Sequence, residues 1–437
     1  IIMKRITVIG TGYVGLVSGA GMSDFGNDVS CVDVDKQKID LLIKGKIPIY
    51  EQGLEKLVYR NTKSKRLHFS HDISDAIKSA EVIFIAVGTP ENETGNADIS
   101  AILDVAQLIG QTINNYKVIC TKSTVPIGTG KQIIDIINKY NTNNIEYDYC
   151  SNPEFLREGK AVSDFQRPDR IVLGVTSKKS YEYMKDVYRP LYINKTPIIH
   201  TTVETAEMIK YAANAFLALK ISYINEVANL CDEIGADINI VSEALGSDGR
   251  ISSKFLHPGP GFGGSCFPKD TKALVHTAKK YNLEMHTVNA AIKTNYLQPK
   301  RMLDKLEKLL EGDLSSKLIG ILGLSFKQET DDVRESPAIK VIRGLQKKEA
   351  MIRAYDPVAN NSMKKIFPDI KYRLSWQSAV KDCDAVVIMT EWNEFRGMDL
   401  IKLKKLMHSP VILDTRNILN ITELKELGFK FDNVGRK

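Results

Sequence analysis

The stretch Ile6-Thr7-Val8-Ile9-Gly10-Thr11-Gly12-Tyr13-Val14-Gly15 determines how the first third of the chain folds. Its β-branched run, residues 6–9, predicts a strand, and the G-x-G-x-x-G pattern that follows predicts a turn into a helix. Gly10 permits the tight turn, Gly12 lets a pyrophosphate approach the backbone, and Gly15 lets the helix pack on the strand. Because the helix N-terminus offers N–H donors and positive potential, the stretch predicts a dinucleotide site.

An acidic residue supports this prediction. A second strand, Val29–Val32, ends at Asp33, 23 residues after Gly10. A carboxylate there accepts hydrogen bonds from the adenosine ribose hydroxyls and would repel a 2′-phosphate, which favours NAD over NADP. Lys38 could contact the ribose or cap the next helix.

Strand-like and helix-like segments alternate over residues 1–200, which indicates βαβ units and a mostly parallel sheet. The further predicted strands and helices are, in order, strands 82–87, 118–121 and 171–173, and helices 101–113 and 130–140. Thr89 and Thr124 follow two of these strands, at the sheet edge where open α/β sheets place ligands.

The middle of the chain is predicted to be helical. No Pro or Gly occurs from Glu204 up to Gly235, which predicts one long helix that Thr201, Thr202 or Thr205 could cap. A second helical stretch, residues 285–310, is predicted to break only at Pro299.

The last part of the chain returns to alternation, with strands predicted at 317–322, 351–355, 385–389 and 410–414 and a helix at 337–347. We therefore predict an α/β protein with two doubly wound Rossmann-like domains, joined by the long central helix and a helical middle domain. The predicted boundaries are 1–200, 201–312 and 313–437.

A glycine- and proline-rich segment, Pro258–Asp270, contains Cys266, and its composition predicts irregular structure up to a helix over Thr271–Lys280. Cys266 thus lies before a helix N-terminus with Lys269 nearby, and both features favour a thiolate. We interpret Cys266 as a nucleophile that adds to an aldehyde formed by hydride transfer. The thiohemiacetal is then oxidised to a thioester, which water releases as an acid.

The other five cysteines are scattered, and no C-x-x-C pair occurs, which argues against a disulfide framework or a zinc site. Cys31 and Cys120 fall in predicted strands and Cys231 in the long helix, so they are predicted to be inert. Cys150 and Cys383 lack a setting comparable to that of Cys266. No metal site is predicted.

Lys210 and Asn214 share one face of the long helix because they are four residues apart. Their neighbours are mostly apolar, so the lysine is predicted to be partly desolvated and able to stabilise an alkoxide or oxyanion. The alternative is a lysine whose charged end reaches solvent at the helix edge.

Together these residues resemble the nucleotide-sugar 6-dehydrogenase family, most closely its UDP-glucose branch. The motifs that carry the resemblance follow the family order along nearly the whole chain: 10–15, 88–90, 122–126, 151–159, 210–214, 261–270, 326–327 and 332–336. The reaction that this resemblance implies converts UDP-glucose, two NAD⁺ and water to UDP-glucuronate and two NADH.

The resemblance also implies roles for individual residues. Cys266 would be the nucleophile, Lys210 and Asn214 would stabilise the oxygen at C6, and Asp270 would hold Lys210 or help position water. Glu154 and Thr124 would position the hydrolytic water. The implied cofactor contacts are Gly10, Gly12, Tyr13, Val14, Gly15, Asp33, Lys38, Thr89, Thr124, Glu154, Lys269 and Arg334.

The implied substrate contacts are Phe155, Leu156, Arg157, Glu158, Lys210, Asn214, Arg250, Phe255, Gly261, Phe326, Lys327 and Arg416. Arg250 would reach the substrate of a neighbouring subunit, and the long helix would pack against its copy in a homodimer. The second α/β domain offers only Gly320-Ile321-Leu322-Gly323, which fits a UDP site rather than a second NAD. At position 252 the family commonly has glycine, and this chain has Ser252.

Composition and charge restrict the other classes of function. The chain has 437 residues, of which 43% are hydrophobic and 26% charged, and its net charge of +7 is spread along the sequence. Such a surface attracts anionic small molecules, whereas a dedicated nucleic-acid binder concentrates its charge on one patch.

No apolar run approaches the ~20 residues of a membrane span. With no signal-peptide pattern at the N-terminus, a cytoplasmic location is predicted.

Several alternatives remain open at this point. A GDP-mannose dehydrogenase has a similar cysteine segment, whereas dehydrogenases of UDP-N-acetylhexosamines tend to have His where this chain has Ser265. A nucleotide-sugar epimerase would recycle its NAD and would not need Cys266. A non-catalytic NAD sensor would need none of the predicted catalytic residues.

Overall fold

The computed structural model describes residues 3–92, 95 and 97–436. The chain divides into two compact units, residues 1–213 and 214–437. The predicted division into three domains at residues 200 and 312 stays a prediction.

The first unit contains an eight-stranded sheet with the order β3-β2-β1-β4-β5-β6-β7-β8, parallel except between β6 and β7. Its strands are β1 Arg5–Ile9, β2 Asp28–Val32, β3 Leu67–Ser70, β4 Val82–Ile85, β5 Lys117–Thr121, β6 Tyr147–Ser151, β7 Ile171–Val175 and β8 Ile198–Thr201. Strand β1 pairs with both β2 and β4, so the order reverses beside the dinucleotide turn, where such sheets bind ligands.

Helices cover both faces of this sheet. They are α1 Tyr13–Asp24, α2 Lys36–Ile43, α3 Leu54–Lys63, α4 Ile73–Ser79, α5 Ser100–Thr112, α6 Thr129–Tyr140, α7 Ala161–Gln166 and α8 Lys178–Val187. Alternate residues of β4 enter opposite cores: Val82 and Phe84 pack with α1 and α3, whereas Ile83 and Ile85 pack with α5 and α6. This two-sided burial explains the continuous apolar run in the sequence.

Helix α9, Val203–Ile234, confirms the predicted long helix. The Thr202 hydroxyl accepts the Thr205 amide at 3.3 Å, so Thr202 is the capping threonine. The helix ends before Gly235, whose φ of +76° is the left-handed conformation that glycine adopts readily.

The second unit contains a six-stranded, fully parallel sheet with the order β11-β10-β9-β12-β13-β14. Its strands are β9 Leu318–Leu322, β10 Met351–Tyr355, β11 Lys371–Tyr372, β12 Ala385–Ile388, β13 Val411–Asp414 and β14 Lys430–Asn433. Its helices after α9 are α10 Ile238–Ser247, α11 Phe267–Lys280, α12 His286–Leu309, α13 Pro337–Lys347, α14 Asn360–Lys364, α15 Trp376–Val380, α16 Asn393–Arg396, α17 Leu400–Leu406 and α18 Ile421–Glu426. The predicted fold class, two doubly wound sheets with helices between them, is confirmed.

Two predictions about the helices were wrong. Pro299 lies inside α12 without breaking it, because Met302 and Leu306 beyond it are buried in a core shared with β9. Helix α11 begins at Phe267 and not at Thr271, because Pro268 occupies the first turn, where its missing N–H costs nothing. Cys266 is therefore at the N-cap position itself. Strands β3, β6, β8, β11 and β14 were not predicted, and the boundaries of the other predicted strands moved by at most two residues.

Candidate functional site

The turn between β1 and α1 has the geometry of a dinucleotide cradle. Gly10 adopts φ +103°, and a Cβ atom on Gly15 would lie 1.8 Å from the carbonyl oxygen of Gly10, so neither position accepts a side chain. A Cβ atom on Gly12 would meet nothing within 4 Å, which leaves that face open for a pyrophosphate. The three glycines therefore fit the roles predicted for them.

Asp33 lies beside this turn. Its two carboxylate oxygens accept the Thr11 amide at 2.6 Å and the Asp35 amide at 3.0 Å. Burial opposes ionisation, but the amide hydrogen bonds outweigh it, and the pKa of Asp33 falls below its ordinary value. Asp33 thus stays charged at neutral pH. Asp35, not Lys38, caps α2 by accepting the Lys38 amide at 3.1 Å, and the cofactor contact of Lys38 stays a prediction.

Replacing Asp33 by alanine should weaken NAD binding about tenfold or more, because the ribose loses a charged acceptor. It should also reduce the preference for NAD over NADP, since the repulsion of the 2′-phosphate is removed. Calorimetric titration with both cofactors measures each effect. Asp35→Ala is the matched control, since it removes a carboxylate two residues away. Unchanged NAD affinity in Asp33→Ala would place the ribose contact elsewhere.

The loops that follow β4 and β5 are joined to each other. Ser123 Oγ donates to the Val87 carbonyl at 2.6 Å, and Thr89 Oγ1 donates to the Thr124 carbonyl at 2.9 Å. The two predicted cofactor residues, Thr89 and Thr124, are therefore brought together at one edge of the sheet.

Glu207 on α9, which the sequence did not single out, holds the N-terminus of α6 in place. Its buried carboxylate accepts the amides of Gly128 at 2.6 Å and Gly130 at 2.8 Å, at the N-terminus of α6. Burial raises the pKa of Glu207 to about 7, although both amide hydrogen bonds lower it.

The raised pKa of Glu207 predicts a pH-dependent contribution to stability. That contribution is complete below the ordinary value of 4.5 and is lost as pH rises through about 7. Between pH 4.5 and 8, the free energy of unfolding should therefore fall by about 2–3 kcal/mol relative to Glu207→Gln, which cannot titrate. Denaturant unfolding of both proteins at several pH values tests this. A difference that does not change with pH would contradict it.

Lys210 and Glu154 form a buried ion pair in the first unit. Lys210 Nζ lies 2.9 Å from Glu154 Oε1, and the two side chains are 4% and 6% exposed. The other oxygen, Glu154 Oε2, accepts the Leu156 amide at 2.5 Å, and the Phe155 ring lies 5.2 Å from Lys210 Nζ. Lys210 is therefore a buried cation, as predicted, and not a lysine extending to solvent.

The predicted substrate segment, residues 155–158, is held from two sides. Asp164 accepts both the amide and the guanidinium of Arg157. On the other side, Tyr13 of the dinucleotide turn donates its hydroxyl to Glu51 and accepts the Gly159 amide at 3.0 Å. Burial and contact with Glu51 raise the pKa of Tyr13, so its hydroxyl remains a donor.

In the second unit, Cys266 occupies the N-cap position of α11 and is half-buried, with its Sγ 3.7 Å from Ser265 Oγ. The buried carboxylate of Asp270 accepts Asn214 Nδ2 at 2.6 Å and pairs with Lys269 Nζ at 2.9 Å. The charge of Lys269 is thus compensated by Asp270.

Side-chain amides that the sequence did not single out fix the glycine-rich turn before Cys266. Asn225 accepts the Gly259 amide at 2.8 Å, and Gln298 donates to the Gly259 carbonyl at 3.1 Å. Asn295 accepts the Phe262 amide at 2.6 Å. These side chains come from α9 and α12, so the turn is held by helices distant from it in sequence.

Two further arginines of the second unit that the sequence singled out, Arg416 and Arg334, are each held by a carboxylate. Arg416 contacts Glu391 at 3.2 Å and donates to the Phe326 carbonyl at 3.0 Å, which places Arg416 beside the predicted residues Phe326 and Lys327. Arg334, which was predicted to contact the cofactor, is paired with Asp332, and its carbonyl accepts the Gly264 amide.

The loop around Arg250 has a serine at a backbone position that favours glycine. Arg250 is exposed and paired with Asp248. Ser252 adopts φ +67° and Phe255 φ +65°, in the left-handed region that favours glycine. Lys220 Nζ donates to the Ser252 carbonyl at 3.0 Å and so holds the loop at this position. Phe255 packs edge-on against Phe267, with ring centroids 6.0 Å apart.

Asp356 of the second sheet follows β10 just as Asp33 follows β2, but hydrogen bonds within the protein occupy both of its carboxylate oxygens. It accepts the amides of Leu324, Ser325, Val358 and Ala359, as well as Trp392 Nε1 at 3.1 Å, and it is 2% exposed. This carboxylate has no room for a ribose hydroxyl. The absence of NAD from the second domain stays a prediction.

The other cysteines are buried, and burial raises the pKa of Cys31 and of Cys383 to about 12, so these thiols stay protonated at neutral pH. Across residues 3–92, 95 and 97–436, no cluster of His, Cys, Asp and Glu side chains could hold a metal ion. Within the same described residues, no helix combines the length and apolar character needed to cross a membrane.

Models of one protein family match three successive parts of the chain. They are the NAD-binding domain over residues 4–192, the central domain over 204–296 and the UDP-binding domain over 320–421 of the UDP-glucose/GDP-mannose dehydrogenase family. The UDP-glucose 6-dehydrogenase of Rhizobium meliloti (strain 1021) is 47% identical over 99% of both chains. The UDP-glucose 6-dehydrogenase TuaD of Bacillus subtilis (strain 168) is 46% identical over 99% of this chain and 94% of its own length.

Solved structures agree with these matches. A UDP-glucose dehydrogenase from Pyrobaculum islandicum superposes with a TM-score of 0.93 at 34% identity, covering 100% of this chain and 98% of its own. A UDP-D-ManNAc dehydrogenase from Pyrococcus horikoshii gives 0.87 at 26% identity, covering 99% of both chains. With its dinucleotide cradle and its ordered catalytic motifs, the chain is an NAD-dependent oxidoreductase and belongs to the UDP-glucose/GDP-mannose dehydrogenase family.

Proposed function

We propose that this protein is a UDP-glucose 6-dehydrogenase that carries out a four-electron oxidation through a covalent bond to Cys266. The reaction is UDP-glucose + 2 NAD⁺ + H₂O → UDP-glucuronate + 2 NADH + 3 H⁺. The observation that carries the proposal is the half-buried Cys266 at the N-terminus of α11, beside the buried Asp270–Asn214 pair. Identity of 46–47% to UDP-glucose 6-dehydrogenases supports the choice of substrate.

Each step assigns a task to a residue of this chain. Bound NAD⁺ supplies the hydride acceptor for both oxidations. In the first oxidation, the C6 alcohol loses a hydride and a proton and becomes an aldehyde. The Cys266 thiolate then adds to C6, which gives a thiohemiacetal whose oxygen carries negative charge. Lys210 and Asn214 stabilise that oxygen, because a buried cation and an amide donor act strongly where water is excluded.

The second oxidation and the hydrolysis complete the cycle. Loss of hydride from C6 of the thiohemiacetal gives a thioester on Cys266. Water then attacks C6, the C–S bond breaks, and the acid leaves with the Cys266 thiolate restored. Glu154 and Thr124 position this water in the proposal. The fixed orientation of Glu154, which bonds to both Lys210 and the Leu156 amide, supports the assignment.

The stoichiometry of NADH tests the proposal. With limiting UDP-glucose and excess NAD⁺, two NADH should form per sugar, while parallel reactions with UDP-N-acetylglucosamine and GDP-mannose should remain slow. A ratio of one would mean that the reaction ends at the aldehyde, which would remove the role of Cys266. Activity with another sugar nucleotide only would overturn the substrate and leave the mechanism. NADH that stays bound without net release would indicate an epimerase.

We also propose that two copies associate through α9. Phe216, Tyr223 and Leu230 are spaced by seven residues and therefore lie along one face of the helix. They are 62%, 51% and 57% exposed, and Ile234 continues the stripe at 66%. A second copy would cover this row of large apolar side chains by presenting the same face, as symmetric dimers do.

The association is tested by sedimentation of the Tyr223→Glu variant. The wild-type chain should sediment as a dimer, and the variant should dissociate at micromolar concentration because a charge enters the interface. Leu374→Glu is the matched control, since Leu374 is 96% exposed and lies outside α9. A monomeric wild type, or a dimeric Tyr223→Glu variant, would contradict this interface.

A further inference from the structure

Glu51 connects two parts of the first unit that are assigned to different ligands. It lies in the loop between α2 and α3 and is 8% exposed. One oxygen accepts the Tyr13 hydroxyl and the Gly159 amide at 2.7 Å, and the other accepts the Ala161 amide at 2.9 Å. Tyr13 begins α1 at the dinucleotide turn, whereas Gly159 directly follows the substrate segment, residues 155–158. A single carboxylate therefore joins the cofactor turn to that segment.

These contacts are costly to lose, because the groups involved are removed from water. Gly159 and Ala161 are buried, so either amide would be left unsatisfied and away from water if it lost its acceptor. The segment is otherwise held by Asp164 through Arg157 and by Glu154 through the Leu156 amide. Glu51 thus reinforces the direct contact between the Tyr13 hydroxyl and the Gly159 amide and extends it to the Ala161 amide.

We propose that Glu51 is a positioning residue that couples cofactor binding to substrate binding. This inference rests on the proposed function, because residues 155–158 contact substrate only in that reaction. An occupied dinucleotide turn fixes the start of α1 and the Tyr13 hydroxyl. Glu51 is then held in the orientation that also receives the Gly159 and Ala161 amides. The segment is thereby ordered before the sugar nucleotide arrives, and by linkage the substrate tightens cofactor binding by the same factor.

The coupling is measured by calorimetric titration of UDP-glucose with and without saturating NADH, a pair of ligands that does not turn over. In the wild-type protein, NADH should tighten UDP-glucose binding about fivefold or more. In Glu51→Gln the ratio of the two affinities should fall towards one, because an amide cannot accept all three donors. Tyr13→Phe should have the same effect, although it removes only the hydroxyl and leaves the Glu51 contacts to Gly159 and Ala161 in place.

Asp164→Asn is the matched control. It loosens the same segment through Arg157, so UDP-glucose affinity should fall equally with and without NADH, and the ratio should stay at the wild-type value. A purely structural role for Glu51 would give the same pattern as this control. Such a pattern in Glu51→Gln would overturn the proposal. So would a ratio of one between the two UDP-glucose affinities in the wild-type protein, or an unchanged ratio in Tyr13→Phe.

Failure of the proposed function would be recognised separately. In that case UDP-glucose would yield no NADH with NAD⁺ in the wild-type protein. The same titrations would then use the sugar nucleotide that does turn over. The coupling would be supported with that substrate if the ratio of affinities with and without NADH fell towards one in Glu51→Gln and stayed at the wild-type value in Asp164→Asn. A wild-type ratio in both variants would overturn it.

Discussion

Replacing Cys266 by alanine is expected to abolish acid formation, lowering its rate at least about 10³-fold, because no other group can form the thioester. NAD affinity should change by less than about twofold, since the substitution leaves the dinucleotide turn and Asp33 unaltered. Any NADH that forms should not exceed one per sugar, because only the first oxidation is independent of sulfur.

The measurement combines a product assay with a cofactor titration. UDP-glucuronate and NADH are quantified after exhaustive reaction, and NAD binding is measured on the same preparation. Cys231→Ala is the matched control, since Cys231 is a buried cysteine on α9 with an assigned role in packing only. Full acid yield from Cys266→Ala, with two NADH per sugar, would disprove the covalent mechanism.

Lys210→Met is expected to have the second large effect, on both stability and rate. It leaves the carboxylate of Glu154 buried without its cation, which should cost about 3–5 kcal/mol of unfolding free energy. It also removes the charge proposed to stabilise the oxygen at C6, which should lower kcat about 10²–10³-fold. Glu154→Gln should be similarly destabilised, because it leaves the lysine buried instead.

The double variant Lys210→Met with Glu154→Gln separates the two effects. Removing both charges should restore most of the stability, because neither group is then left charged and unpaired. Activity should not return, because the cation is still absent at C6. Denaturant unfolding and steady-state kinetics on the three variants test this. Recovery of activity together with stability would reduce the pair to a structural role.

Local sequence patterns were sufficient to predict the elements and several site residues. The turn at Gly10–Gly15, the acid at Asp33 and the helix over Val203–Ile234 all follow from spacing within one or two elements. The relation of Cys266 to a helix N-terminus was also predictable, although Pro268 concealed where α11 begins. Such features are encoded by neighbours along the chain, so a single sequence reveals them.

Tertiary structure decided which side chains hold these features in place. Glu51 meets Gly159 across 108 residues, and Gln298 meets Gly259 across 39. In the sequence each is an ordinary polar residue without a distinctive spacing. The partner of Lys210 was likewise settled by folding, which placed Glu154 against it across 56 residues.

The sequence by itself therefore determined the two doubly wound sheets, the dinucleotide turn and the candidate nucleophile, because periodicity and glycine spacing act over short distances. Only the tertiary structure decided that Asp270 meets Asn214 across 56 residues, and that Asp356 is buried and saturated with hydrogen bonds while Asp33 stays partly exposed. The physical reason is that desolvation and hydrogen-bond saturation depend on which buried groups meet. That outcome is set when distant segments pack and not by the order of residues within any one of them.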